Sequence, residues 1–91
     1  MYFVKTKKEI IVTLANKDLE SCTGEVLSVF EALSECERHA HAYLTHEEDK
    51  NIIHISFSDP SGKKHAYRPS EALAIAENRL KGRARSSRAW D

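Results

Sequence analysis

Histidine and cysteine are the side chains with the most chemistry to offer in this 91-residue chain, which has five of the first and two of the second. His39, His41 and His46 crowd into one stretch with Cys36 and Glu35, a mixture of nitrogen, sulfur and oxygen donors of the kind that zinc accepts. Their spacing works against a shared ion. On a helix Cys36 and His39 are neighbours, but Cys36 belongs to the apolar stripe and His41 to the far flank, and no second element supplies a fourth ligand. His54 and His65 can meet only across a hairpin whose register the sequence leaves open. With no Cys-x-x-Cys, Cys22 and Cys36 read as small buried hydrophobes of an intracellular chain. There is no nucleophile elbow or Cys-Gly signature, and Gly24, Gly62 and Gly82 are too isolated to build a phosphate-cradling loop. No pattern identifies a reaction, so the chain reads as non-catalytic, without metal or cofactor.

Charge is more informative, because it is sorted along the chain. Between Asp18 and Asp49 nine carboxylates face one full cation, Arg38, whereas residues 79–91 hold Arg79, Lys81, Arg83, Arg85 and Arg88 against Asp91. The formal net charge of zero conceals two opposite fields, and such fields choose partners and set encounter rates. No apolar run approaches the roughly 20 residues that span a bilayer. The start, Met1 to Lys8, carries charge where a signal peptide needs an apolar region. No membrane partner is expected, and the expected location is the cytoplasm.

These groups must be positioned by a few elements. Residues 9–15 alternate as a strand with Ile10, Val12 and Leu14 on one face. Residues 16–24 read as a loop and 25–30 as a second strand. Ser34 and Glu37 match the capping box and predict a helix that begins there, with Cys36, Ala40, Tyr43 and Leu44 on its inner face. A rival reading stands beside it: Leu19, Cys22, Val26, Val29, Leu33, Cys36, Ala40 and Tyr43 recur at alternating spacings of three and four, the seam of a long helix that starts near residue 18. Residues 52–57 predict a strand, residues 59–62 a type I turn and residues 63–68 the returning strand. A last helix starts at Pro69, carries Ala72, Leu73, Ala76 and Leu80 inward, and stops at Gly82. The expected order is ββαββα: a single α+β domain over residues 1–81, with an antiparallel sheet, helices on one face and the other face open, followed by a basic tail or helix extension over 82–91. The open face leaves room for a homodimer, and Ile75 is a second contact candidate.

The short neutral chain, the strand-and-helix units and the carboxylates Glu31, Glu35, Glu37, Glu47, Glu48 and Asp49 together resemble the small single-domain inhibitors of phages and mobile elements, anti-CRISPR proteins among them. The resemblance implies a compact, non-catalytic binder of a host complex. Those six carboxylates then form the partner-binding set, drawn to the basic surface of a larger protein or ribonucleoprotein that handles nucleic acid. The basic tail departs from a pure mimic of nucleic acid. The alternative is therefore a nucleic-acid-binding accessory or regulator in which Arg79, Lys81, Arg83, Arg85 and Arg88 grip RNA or DNA phosphates and Trp90 stacks on a base.

Overall fold

A computed structural model describes residues 1–14, 24–47, 49, 51–59, 62 and 65–89, and for 83–89 the backbone alone. Five strands and two helices follow in the order β1 (Tyr2–Lys5), β2 (Glu9–Thr13), β3 (Glu25–Leu27), α1 (Val29–Cys36), β4 (Tyr43–Glu47), β5 (Ile52–Ser56) and α2 (Pro69–Ala89). The strands form one antiparallel sheet in the order β3-β1-β2-β5-β4. Both helices lie on one face, α1 over the β1–β3 side and α2 over β2, β5 and β4. The fold is α+β, as the sequence predicts, with an additional strand at the front.

The main core is built from one face of every long strand and the inner stripe of each helix. Phe3, Ile10, Val12, Leu27, Ile53 and Ile55 meet Ala32 and Cys36 of α1 and Ala72, Leu73, Ala76 and Leu80 of α2. Period-two alternation in β2 and β5 and the three-four spacing of α2 account for this division. The opposite face is not open as predicted. Val4, Ile11 and Ile52 form a second buried cluster there, and Thr13 is fully buried beside them.

Several expected elements move. The helix predicted at Ser34 begins instead at Ser28, and Tyr43 and Leu44, expected on its inner face, belong to β4. Neither does a long helix run from residue 18, because Glu25–Leu27 pairs with β1. Gly24 secures that pairing: it lies so close to the Lys5 carbonyl and the Val4 side chain that a Cβ would collide with them. Of the predicted return strand, residues 63 and 64 lie outside the described residues, and within 65–68 a single bridge joins Tyr67 to Ala42. β5 has no need of a return strand there, since β2 and β4 already pair with its two edges. Asn51, in the turn between β4 and β5, takes the left-handed conformation with φ of 58°, which asparagine tolerates better than most residues.

Gly82 does not stop α2, which continues through it to Ala89. A helix interior is a costly place for glycine, and a Cβ at Gly82 would meet nothing within 4 Å. Gly82→Ala is expected to raise stability by about 0.5–1 kcal/mol. Chemical denaturation checks this, and a loss of stability would place the helix end at Gly82 after all. Gly24→Ala is expected to lose about 1–3 kcal/mol by overpacking; an unchanged denaturation midpoint would refute the close approach to β1.

Candidate protein-binding face

The site rests on how α1 is capped and turned. The Glu31 amide donates to Ser28 Oγ at 3.1 Å and the Ser28 amide donates to Glu31 Oε1 at 3.1 Å, a reciprocal box that satisfies two otherwise orphaned donors. That start sends Ala32 and Cys36 inward, both fully buried. The apolar side of the helix is wider than the strip it buries, so turning its two small residues to the sheet leaves Val29, Phe30 and Leu33 outside. Val29 is 50%, Phe30 76% and Leu33 37% exposed, and Val26 of the adjoining edge strand is 57% exposed; these are the exposed large hydrophobics among the described residues. All of them fall within eight residues of sequence at one edge of the sheet, but Val26, paired with Val4, lies on the face opposite α1, so Val29, Phe30 and Leu33 form the helix's apolar surface.

Charged groups flank this apolar surface. Glu31 is held below its ordinary range first by the Ser28 amide and then by the Ser28 hydroxyl, so it remains ionised while it caps the helix. Glu35 turns toward β1, where its carboxylate meets Lys5 Nζ at 3.2 Å, with Arg38 at 3.8 Å and His39 at 3.7 Å. Partial burial pushes Glu35 up, but the Lys5 hydrogen bond and the charges of Lys5, Arg38 and His39 outweigh it and leave the group below its ordinary value. Glu37 caps the C-terminal end, its amide donating to the Leu33 carbonyl at 3.0 Å, and is exposed, as is Glu25. Beneath Phe30 a groove of about 320 Å³ is lined by Leu27, Lys5, Glu25, Glu31, Glu35 and Arg38, among others.

The six predicted carboxylates do not share one helix. Glu31, Glu35 and Glu37 stand on or beside α1 near the β3 edge, whereas Glu47 ends β4 at the opposite edge, followed by an exposed Asp49. Glu48 lies outside the described residues. The separation follows from chain direction, since residues 39–42 leave the helix and cross to the far edge, where β4 pairs with β5. Of the predicted cations, Arg79 and Lys81 are exposed on α2, and Lys81 Nζ meets Glu77 at 3.6 Å. Arg83, Arg85 and Arg88 lie on the helical backbone of α2, with side chains outside the described residues, as is Trp90. Ile75 is only partly exposed.

The sequence reading missed Val29, Phe30 and Leu33 as a binding surface. A signal for them exists: Ser28 and Glu31 make the same capping pair as Ser34 and Glu37, six residues earlier. β-branched Val26 and Val29 disguised it as a strand.

The histidines and Cys36 separate as well, and Cys22 lies outside the described residues. Cys36 is fully buried, and burial, aided by the negative charges of Glu35 and Glu37, pushes its thiol up to about 11, which leaves little reactive thiolate near neutrality. His39 stacks on Phe57 with ring centres 3.7 Å apart. His65 packs edge-on against Tyr67, so it does not pair with His54. Among the described residues no three His, Cys, Asp or Glu side chains are grouped to hold a metal, and no helix is long and apolar enough to cross a membrane. Comparison with known family models, curated proteins and solved structures finds no match.

His54 instead bridges the sheet. Its Nδ1 lies 3.0 Å from Glu9 of β2 and its Nε2 3.1 Å from Glu47 of β4. Only the imidazolium can donate to both carboxylates. Burial alone pushes His54 down, but the hydrogen bonds and charges of Glu47 and Glu9 outweigh it and raise the group above its ordinary 6.5. The bridge therefore contributes fully below pH 6.5 and is lost as pH rises through the raised folded-state value. Thermal melts from pH 5.5 to pH 8.5 are expected to show wild type losing stability relative to His54→Gln as pH rises. A constant difference between the two proteins would remove the bridge from the energetics.

Proposed function

We propose that this protein is a non-catalytic protein-binding inhibitor or adaptor that docks through the α1 edge onto a partner with an apolar pocket rimmed by positive charge. The observation that carries the proposal is Phe30, a phenyl ring 76% exposed on a short, well-capped helix, flanked by Val29 and Leu33. Binding energy at protein interfaces concentrates in such aromatic anchors, with surrounding groups that exclude water. Glu25, Glu31 and Glu37 outnumber the exposed Arg38 and give this edge a net negative rim, which steers encounter with a basic surface and contributes more to association rate than to affinity. Like rims facing each other would repel, which favours a basic partner over a second copy of the chain. A basic surface of that kind is what a nucleic-acid-handling complex offers, and an inhibitor of such a complex of the anti-CRISPR type fits this reading. Glu47 and Asp49, at the far edge of the sheet, have no part in it.

Because Phe30 contributes little to the core, Phe30→Ala should change folding stability by less than about 0.5 kcal/mol while weakening capture of the partner from a nuclease-treated lysate by about 10- to 100-fold. Glu37→Lys should slow association at low salt and have little effect at high salt. Undiminished capture by a folded Phe30→Ala protein would overturn the proposal. So would a Phe30-dependent homodimer in sedimentation that accounts for all of the material bound.

A further inference from the structure

The hairpin turn between β1 and β2 is unusually well fixed for its length. The Thr6 amide donates to the Glu9 carbonyl at 2.9 Å, the Thr6 hydroxyl donates to the same carbonyl at 3.2 Å, and the Glu9 amide donates to that hydroxyl at 3.2 Å. The Phe57 amide reaches the Lys8 carbonyl at 3.4 Å and ties the turn to the end of β5. Lys7 and Lys8 are thus held at the tip, both exposed. Among the described residues neither lies within ion-pair distance of a carboxylate.

Clefts open on two sides of this tip. The larger, of about 990 Å³, is lined by Lys5, Lys7, Lys8 and Thr6, by Ser56 and Ser58 from the end of β5, and by Glu9, Gly24 and Glu25. The smaller, of about 340 Å³, uses the same three lysines with His39 and Phe57. The carboxylates nearby are largely committed elsewhere: Glu35 to Lys5 and Glu9 to His54. Glu25 remains to oppose Lys7 and Lys8, so the balance of the larger cleft is positive. Its polar groups are mostly donors, ammonium groups above all, with the Ser58 hydroxyl beside them. Such a set suits a tetrahedral oxyanion rather than a cation or a planar amide.

We propose that the cleft beside Lys7 and Lys8 is a binding site for a phosphate group, either of a small phosphorylated ligand or of a nucleic-acid backbone. Lys7 and Lys8 supply the charge, and Ser58 supplies a neutral donor. The site adjoins the α1 docking face, with which it shares Lys5 and Glu25, but Lys7, Lys8 and Ser58 belong to it alone and it stands without Phe30. Two contacted phosphates limit the affinity for nucleic acid alone and make it strongly salt-dependent.

The test uses the intact isotopically labelled chain, titrated separately with sodium phosphate and with a single-stranded oligothymidylate while amide resonances are followed. The expected result is a saturable shift at Lys7, Lys8 and Ser58. The double variant Lys7→Ala/Lys8→Ala should weaken binding by about tenfold or more. Arg79→Ala/Lys81→Ala, which removes equal charge from residues outside the cleft, should change it by less than about twofold. Both variants alter exposed side chains, and unchanged melting midpoints verify the fold. Saturation by inorganic phosphate alone assigns a small phosphorylated ligand. Tighter oligonucleotide binding, with a salt slope lowered by about 1–2 in the lysine variant, assigns a nucleic-acid backbone. No saturable shift with either probe, or equal losses in the two double variants, would overturn the proposal.

Discussion

The reciprocal hydrogen bonds between Ser28 and Glu31 decide which side of this protein meets its surroundings. Starting the helix at Val29 rather than several residues later sends Ala32 and Cys36 to the sheet and turns Phe30 outward. The inward residues are small, so the helix can sit close to β1 and β3; the large residues are left where water must cover them. A helix normally gains stability by burying its bulky face. Here the bulky face is largely outside, which is a costly arrangement for an isolated monomer and a useful one for a binding surface.

Around that edge the electrostatics are local rather than collective. The negative stretch of the sequence looks like one field, but the fold divides it. Glu31 caps, Glu35 is occupied by Lys5, and Glu47 joins Glu9 in holding His54. Glu35, Glu9 and Glu47 are thus paired with cationic groups within the chain, and what remains for a second protein is a modest rim at Glu25, Glu37 and Glu31, which keeps its charge while it caps. The apolar anchors must then supply most of the binding energy, with charge acting on encounter. The lysines of the β1–β2 turn form a second surface of opposite sign at the same end of the sheet as Glu25, so one end of the molecule offers both signs of charge a short distance apart.

His54 introduces a different kind of constraint. The imidazole is clasped by carboxylates from the strands on either side, so the attachment of the outer strand β4 is coupled to a proton. The coupling acts on the side of the sheet that also buries Val4, Ile11, Thr13 and Ile52. That burial gives the second sheet face a structural role of its own and separates it from the docking surface at α1.

How much of this was legible beforehand depended on the range of the forces involved. Ile10, Val12, Ile53 and Ile55 and the inner stripe of α2, Ala72 to Leu80, follow from periodicity and are buried as that periodicity requires, whereas Ile11 and Ile52 are buried on the face it leaves open. The α+β class follows from their sum. The start of α1 did not follow, because two Ser-x-x-Glu pairs offer equivalent local caps. Only the pairing of Glu25–Leu27 with β1, at a contact that excludes a Cβ at Gly24, selects the first. Nor did the sequence reveal that β4 would take the partner edge expected for residues 63–68, or that Glu9, His54 and Glu47, drawn from three strands, would converge. Local composition determined which segments are strands and helices. Which strand lies beside which, and therefore which apolar residues are left exposed, was decided by tertiary pairing, because hydrogen-bond register joins residues that no window of sequence contains.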